Sequence, residues 1–322
     1  MNRLLIAVAL VACGSKKQPK TDDKPVAKPA AIDAKTTPLP ATPAARIELF
    51  DACWGKSDAT VLATCYADTA IVESPGAGFP PTTNKAAIIE AAVGLKRQFP
   101  DLEISPNVVL GNGKQLVSIV KLSGKPMGVV GAVVVDFDDQ GKISHESDFF
   151  DSQTIRYQMK PDPAHPVRSP DAMPALAYIR LVNNHTPDDA ANEAVVTKFV
   201  AAFNKHDLVT AGALLDDHAT WSDPTEQKDW TKPELLADRA IGIKAFPDLQ
   251  ISHPNIWAAS TYVVEQAELV GTNEGPMPGI AAPTHKKIAI PYVTIYELQA
   301  GKILHAYAFL QSSALVTQLG LK

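Results

Sequence analysis

The phrase FPDLEIS, at residues 99–105, returns as FPDLQIS at residues 246–252, and one of its seven positions differs. The segments before the phrase also match, because DATVLATCYADTAIVESP at residues 58–75 lines up with DLVTAGALLDDHATWSDP at residues 207–224. Matching segments in the same order predict a tandem duplication. Each copy is too long to be one unit of a solenoid, so each is expected to fold as a domain.

The duplication divides the chain of 322 residues into two domains. Residues 141–159 and 301–319 are the matching ends of the two copies. We therefore place domain 1 at residues 46–160, domain 2 at residues 192–322, and a proline-rich linker between them at residues 161–191. An apolar stretch of the linker, ALAYIRLV, predicts either a helix docked on a domain or a transient helix within a stiff spacer.

Both copies show the same succession of helix-like and strand-like patterns. In domain 2, Phe199, Val200 and Phe203 lie at helical spacing, and in both domains a later helix stops before the proline of the repeated phrase. Helices first and a strand meander last predict an α+β domain. The predicted elements are helices at 44–54, 59–66, 85–98 and 232–244, and strands at 70–73, 116–122, 129–137, 143–150, 219–222, 262–269, 287–298 and 303–310.

The first residues are typical of an export signal. Arg3 precedes an apolar run at residues 4–12, which is too short to span a bilayer because a span takes roughly 20 apolar residues. The run ends in LVAC, which resembles the bacterial lipobox, so we expect residues 1–13 to be a lipoprotein signal peptide with Cys13 as the lipidated residue. The alternatives are an ordinary signal peptide or a buried apolar segment. By resemblance to Gram-negative lipoproteins, Gly14 after the cysteine predicts an exported protein anchored in the outer membrane and facing the periplasm.

Composition limits the partners of the chain. Residues 14–45 contain six prolines and six lysines, which predicts a disordered tether whose lysines are solvated or touch anionic headgroups. The first 45 residues carry a net charge of +4, which leaves −9 for the rest of a chain whose total is −5. Because phosphate binding needs clustered Lys and Arg, this acidic body argues against nucleic acid as a partner.

Two further cysteines, Cys53 and Cys65, lie on two consecutive predicted helices. An exported protein can form disulfides, so we favour a bridge between them that staples a helical hairpin. In the chain-entropy model a loop of this size contributes roughly 3 kcal/mol. The alternative is a pair of buried free thiols.

The order helix, helix, strand, helix, then long strands resembles the nuclear-transport-factor-two-like fold. The FPDL phrase, the Gly-Lys-Ile hairpins and the closing Gln-Leu-Gly are similar to its SnoaL-like branch of polyketide and ester cyclases. The resemblance implies two cone-shaped domains, each with three N-terminal helices packed on a curved, mainly antiparallel sheet. It also implies a mostly apolar pocket, acid/base chemistry from a carboxylate at the end of the last strand, no metal or cofactor, and pairing of the two domains through their sheets.

On this resemblance the catalytic carboxylate falls on Asp151 in domain 1 and is replaced by Gln311 in domain 2. Strand alternation places His145 and Phe149 on the same face as Asp151, which we expect to be the pocket face. Glu146, Asp148 and Ser144 fall on the opposite face, and their polarity predicts that this face meets water. Asp151 and His145 are therefore the catalytic candidates.

Aromatic and polar residues near the predicted pockets are the candidate ligand-binding groups. For the aromatic residues the alternative is an ordinary core position, for the histidines a hydrogen-bonded wall residue, and for Asp-Pro a turn start. No histidine pair has metal-ligand spacing, so no metal site is expected. The candidates are Trp54, Tyr66, Glu73 and Phe149 in domain 1 and Trp221, Asp223, His305, Tyr307 and Gln311 in domain 2.

Three functions remain open from the sequence. The first is an envelope-anchored lipoprotein whose pockets bind a small apolar or carbonyl-containing molecule, with no catalysis in domain 2. The second is a cofactor-independent cyclase or isomerase that uses Asp151 as general acid and base. The third is a structural or protein-interaction module, since this fold hosts unrelated functions.

Overall fold

The structure, a computed structural model, describes residues 42–54 and 58–321. The predicted signal peptide, Cys13 and most of the predicted tether lie outside the described residues. Domain 1 contains, in chain order, α1 (Pro43–Trp54), α2 (Ala59–Cys65), β1 (Tyr66–Glu73), β2 (Thr82–Thr83), α3 (Lys85–Gln98), β3 (Glu103–Gly111), β4 (Gln115–Gly124), β5 (Met127–Phe137), β6 (Ile143–Phe149) and α4 (Ser152–Met159).

The same order returns in domain 2, after a linker that contains a 3₁₀ turn (Pro170–Ala172) and strand β7 (Ile179–Val182). Its elements are α5 (Pro187–Asn204), α6 (Leu208–Ala213), β8 (Leu215–Ser222), β9 (Trp230–Thr231), α7 (Lys232–Ala245), β10 (Gln250–Ala259), β11 (Tyr262–Thr272), β12 (Lys287–Gln299), β13 (Lys302–Leu310) and α8 (Ser312–Gln318).

Each domain is built on one mixed sheet. The strand order is β2-β1-β6-β5-β4-β3-β7 in domain 1 and β10-β11-β12-β13-β8-β9 in domain 2. In both, the first long strand pairs in parallel with the last one, and the other pairs within the domain are antiparallel. The predicted α+β class, with three helices ahead of a mainly antiparallel sheet, is confirmed.

The repeated phrase ends a helix and starts a strand. Phe99 and Phe246 cap α3 and α7, and the N–H of each bonds to the carbonyl oxygen four residues earlier. Proline follows and cannot continue the helix, because it has no N–H to donate. Asp101 and Asp248 then accept a backbone N–H from the end of β4 and β11, at 3.0 and 2.6 Å. The phrase therefore joins a helix end to the next hairpin in both domains.

The strand after the phrase was missed in both domains. β3 contains Pro106 and β10 contains Pro254, which break the strand-like pattern. In both cases the strand register shifts near the proline, as expected where a residue without a donor is accommodated at a bulge. The expected helix in the linker is also wrong, because Ile179–Val182 instead forms β7 and pairs in parallel with β3. The short helices α4 and α8 after the last strands were not predicted.

One hydrophobic cluster contains side chains of both domains. Eight buried residues from each domain contribute to it, and they come from the faces of the two sheets that point away from the helices. We call these the outer faces and the helix-covered sides the inner faces. The cluster consists of Val108, Leu110, Val117, Ile119, Val130, Ala132, Val134 and Phe149 with Trp257, Ala259, Tyr262, Val264, Val293, Ile295, Tyr307 and Phe309.

Candidate functional site

A cavity of about 110 Å³ lies in domain 1 between its helices and the inner face of its sheet. This volume has room for several water molecules or a small organic molecule, since one water needs about 10–15 Å³ of such space. Most of the wall is apolar. The apolar residues include Leu62, Val72, Ile88, Leu95, Leu122 and Ile155.

Two carboxyl groups, Glu146 and Asp148, line the cavity from alternate positions of β6. Glu146 is 3% exposed, and its Oε2 atom accepts hydrogen bonds from the Tyr66 hydroxyl at 2.7 Å and the Trp54 indole N–H at 3.3 Å. The Oδ1 atom of Asp148 is buried and has no hydrogen-bond partner among the described residues. Such groups in an apolar wall are the polar anchors that ligand pockets commonly use.

Burial raises the pKa of Glu146 to about 7, although the bonds from Tyr66 and Trp54 and the nearby His145 favour its charged form. Burial also raises the pKa of Asp148 well above its usual range, and the charge of Glu146 raises it further. Because the low-dielectric cavity opposes two adjacent negative charges, the pair retains a proton at neutral pH.

The predicted pocket face of β6 was wrong. Glu146 and Asp148, expected to meet water, line the cavity, whereas Phe149 lies in the cluster shared by the two domains. A β-bulge opposite Phe137 interrupts the alternation of β6, so Ile143 lies in the inner core although Phe149 does not. The polar residues of β6 predict a solvent-exposed face because many antiparallel sheets have only one covered face. Here both faces of the sheet are covered, the inner face by the helices of domain 1 and the outer face by domain 2.

His145 and Glu73 do not line the cavity. His145 Nε2 lies 3.0 Å from Glu73 Oε1 and its Nδ1 lies 3.5 Å from Asp136 Oδ2, with the histidine side chain 37% exposed. The hydrogen bond that His145 donates to Asp136 is the main reason that the pKa of His145 is raised, and Glu73 adds to this shift. These groups form a polar network on the outer side of the sheet, so His145 is not positioned to act with Glu146 on one ligand.

Asp151, the expected general base, is 2% exposed and holds the two domains together. Its Oδ2 accepts the N–H and hydroxyl of Thr154 at 2.8 and 2.7 Å, so it caps α4. Its Oδ1 accepts the N–H and hydroxyl of Ser312 at 2.9 and 2.7 Å, at the start of α8 in the other domain. With both oxygens occupied, Asp151 is a structural group and does not line the cavity.

Gln311 makes the reciprocal contact from domain 2. Its Oε1 accepts the Ser152 N–H at 3.1 Å and its Nε2 donates to the Phe150 carbonyl at 2.6 Å. Gln311 also lines the cavity of domain 1, so domain 2 supplies part of that wall. Asp151 and Gln311 are therefore the two halves of one contact between the domains. Their difference does not distinguish an active pocket from an inactive one.

Domain 2 lacks the carboxyl pair at the matching positions. Ala306 and Ala308 stand where β6 has Glu146 and Asp148, and both alanines are buried. Leu215 stands in place of Tyr66.

Trp221, a predicted ligand-binding residue, packs among the aromatic rings of Phe199 and Tyr296 in the domain 2 core. Trp54 and Tyr66 line the domain 1 cavity, so they are the aromatic candidates that the structure brings to it.

Domain 2 has a buried carboxyl group elsewhere, on β11. Glu265 is 0% exposed and accepts hydrogen bonds from the hydroxyls of Tyr292 and Tyr296, both at 2.5 Å. Burial raises the pKa of Glu265, and the two hydroxyls lower it in part. Each of its oxygens has a tyrosine partner, which makes the group part of the core. It was not singled out from the sequence, since one Glu in an apolar strand gives no distinctive pattern.

The remaining predicted residues of domain 2 have local structural partners. His305 bonds through Nδ1 to the Thr220 hydroxyl and through Nε2 to the Ser222 hydroxyl, and burial lowers its pKa. Its ring contacts that of Tyr307, which lies in the shared cluster. Asp223 accepts the N–H and hydroxyl of Thr225 at 2.8 and 2.7 Å, which is a turn.

Cys53 and Cys65 are joined by a disulfide, the pairing that the sequence favours. The bridge connects α1 to α2, and Cys53 lines the cavity. Each cysteine directly precedes a donor to Glu146, because Trp54 follows Cys53 and Tyr66 follows Cys65. The disulfide thus fixes the backbone beside both donors.

Two features are absent from the described ranges. None of the helices there is long and apolar enough to cross a membrane. Within the same ranges, no group of three or more His, Cys, Asp or Glu side chains could hold a metal ion.

The family model for the SnoaL-like domain matches the chain twice, over residues 47–146 and 196–306. The chain therefore belongs to the SnoaL-like domain family and carries two copies of that domain in tandem. The matched ranges fall within the two structural domains described above. A comparison with curated proteins found no match.

Solved structures similar to the chain each correspond to about one of its domains. AclR from Streptomyces galilaeus, a candidate hydroxylase, is 24% identical, with 41% of this chain and 96% of that chain covered and a TM-score of 0.38. A candidate SnoaL-like polyketide cyclase from Jannaschia is 19% identical, with coverages of 44% and 99% and a TM-score of 0.39. IdmH from Streptomyces antibioticus, a candidate polyketide cyclase, is 18% identical, with coverages of 40% and 99% and a TM-score of 0.36.

Proposed function

We propose that domain 1 binds a small, largely apolar molecule in its cavity and that Glu146 and Asp148 contact the polar group of that molecule. The observation that carries this proposal is an apolar cavity lined by Asp148, whose buried Oδ1 atom has no hydrogen-bond partner among the described residues. Buried polar atoms are normally hydrogen-bonded, so an unpaired oxygen on a residue that lines the cavity suits a ligand or an ordered water.

Domain 2 is proposed to be a structural partner without catalytic activity. Its matching strand has Ala306 and Ala308, and the rings of Trp221, Phe199 and Tyr296 pack together in its interior. It also supplies Gln311 to the wall of the domain 1 cavity.

The proposal includes export and a lipid anchor at Cys13, which rest on the LVAC pattern at the end of the apolar run. The tether would then hold both domains away from the outer membrane.

A second candidate function is proton transfer at a carbon next to a carbonyl, with Glu146 as general acid and base. The observation in its favour is that Glu146 is buried in the cavity wall. Burial raises the pKa of Glu146 to about 7, and a catalytic acid or base is most effective when its pKa lies near the working pH. Asp151, the original candidate for this role, has both oxygens committed to Thr154 and Ser312.

Filling the cavity is expected to abolish binding. Ala92 lines the cavity from α3, so Ala92→Phe places a ring in the space that a ligand needs. Native mass spectrometry of protein purified from its own cells should show a co-purifying small molecule with the wild type and lose it with Ala92→Phe. Thermal-shift titrations with small ketones, alcohols and amines should show the same loss, by about tenfold or more in affinity.

The matched control is Ala86→Phe, an identical substitution at an exposed position of the same helix. It should retain binding. A wild-type protein that carries no molecule and responds to none of the probes would contradict the binding proposal, and so would equal binding by wild type and Ala92→Phe.

A further inference from the structure

We infer, building on the proposed binding function, that the molecule in the domain 1 cavity is a small organic amine bound as its ammonium ion. The cavity combines two carboxyl groups, Glu146 and Asp148, with the aromatic rings of Trp54, Tyr66 and Phe150. Carboxylates accept the N–H groups of an ammonium, and aromatic rings attract cations through their negative faces. The apolar remainder of the wall suits the hydrocarbon part of the amine.

The described lining of the cavity contains acidic side chains and no basic ones, which favours a cationic ligand. Of the described residues that line it, none is a lysine, arginine or histidine. His145, which adjoins Glu146 in sequence, is engaged on the outer side by Glu73 and Asp136. Two buried carboxylates without a cation are unfavourable, because desolvation of a charge is costly unless an opposite charge is near. A ligand cation supplies that charge.

The hydrogen-bond inventory also favours a donor ligand. The Tyr66 hydroxyl and the Trp54 indole N–H both point at Glu146 Oε2, so these donors are not free for a ligand carbonyl. The buried Oδ1 of Asp148 lacks a donor among the described residues. An ammonium donates its N–H groups to such an acceptor. A ketone has no donor, so it would have to accept a hydrogen bond from a carboxyl O–H and would leave the unpaired acceptor without a partner.

Protons must balance when the amine binds. Burial raises the pKa of Glu146 and of Asp148, so the empty cavity holds protons on this pair. The groups facing Glu146 are Tyr66 on β1, Trp54 on α1 and, along its own strand, Asp148, with the charge of His145 beside it. When the ammonium binds, Glu146 gives its proton to solvent, whereas Asp148 and the amine keep theirs. Affinity for the amine therefore rises with pH up to about 7, whereas affinity for a neutral acceptor falls or stays constant.

Calorimetric titration with cyclohexylamine and cyclohexanone tests this inference on the whole protein. Alkyl amines stay protonated between about pH 5.5 and 8, since their pKa lies near that of lysine, about 10.4. The amine affinity should rise by up to about tenfold per pH unit below pH 7, which is the limit for release of one proton. Titrations in buffers of different ionisation enthalpy should report that release directly. The ketone should show no such rise.

Matched variants assign the effect to the carboxyl pair. Glu146→Gln and Asp148→Asn should each weaken amine binding by about tenfold or more, because each removes a charge-assisted contact. Glu103→Gln and Asp139→Asn make the same changes at exposed positions and should bind as the wild type does. His145→Asn should keep the pH dependence, which separates the carboxyl pair from the neighbouring histidine.

Three results would overturn the inference. They are binding of the ketone without the amine, an amine affinity that does not change with pH, and amine binding that survives both carboxyl substitutions. The first of them leaves the binding function of the cavity standing and replaces only the class of ligand. If neither probe binds and no small molecule co-purifies, the binding function itself fails.

Discussion

Replacing Asp151 by alanine is expected to lower the free energy of unfolding by about 3–4 kcal/mol, because a buried charged acceptor disappears from between the domains. Four donors lose their partner, namely the N–H and hydroxyl groups of Thr154 and of Ser312. Each hydrogen bond to a charged group contributes roughly 1.5–3 kcal/mol by itself, but water can reach some of the freed donors, and the contributions do not add. Urea denaturation followed by circular dichroism measures the loss.

The control for this prediction is Asp139→Ala, which removes an exposed carboxyl from the turn between β5 and β6. Its effect should stay within about 0.5 kcal/mol. A catalytic role for Asp151 would give a different result, in which Asp151→Asn and Asp151→Ala unfold as the wild type does and lose activity alone. Stability unchanged within that margin would return Asp151 to the list of catalytic candidates.

Removing the disulfide is expected to cost about 3 kcal/mol, which follows from the 12-residue separation of Cys53 and Cys65. The double variant Cys53→Ala/Cys65→Ala should therefore unfold at a lower urea concentration. A second effect is expected at the cavity, because the cysteines adjoin Trp54 and Tyr66. If these donors loosen, Glu146 loses the hydrogen bonds that favour its charged form, and its pKa should rise above about 7.

Carboxyl NMR of the double variant measures this second effect, and unfolding experiments measure the first. A Leu49→Ala variant is the control, because it weakens the packing of α1 against the domain 1 core without breaking the bridge. It should lower stability but leave the pKa of Glu146 near that of the wild type. Loss of stability with an unchanged pKa in the double variant would show that the bridge does not position the donors.

The duplication and the order of elements could be predicted because they depend on local signals. The phrase at residues 99–105 combines a helix stop with a turn, and its second copy fixes where the second domain lies. Element ends were predicted less accurately, since β1 starts at Tyr66, four residues before the predicted start. Pro106 and Pro254 hid two strands, because a bulge that accommodates proline has no local sequence signature.

The site was harder to predict because it depends on contacts between the domains. The partner of Asp151 is Ser312, 161 positions away, and local spacing cannot show such a contact. The wrong face of β6 has the same cause, since domain 2 buries the side of the strand that includes Phe149. A usable signal was present in domain 2, where Ala306 and Ala308 alternate with Tyr307 and Phe309. A strand that is apolar on both faces is buried on both faces, and the matching acids of domain 1 are then interior residues.

The most direct test is a carboxyl NMR titration of Glu146 in the protein labelled with ¹³C at glutamate side chains. The resonance is assigned by its absence from Glu146→Gln, and Glu103, exposed on β3, serves as the internal reference. A ligand cavity with a proton-holding acid pair predicts a midpoint of about 7 for Glu146. A midpoint near the ordinary value of 4.5 would mean that water and counter-charges reach the group freely, and would contradict both the acid pair and the proton-transfer function built on it.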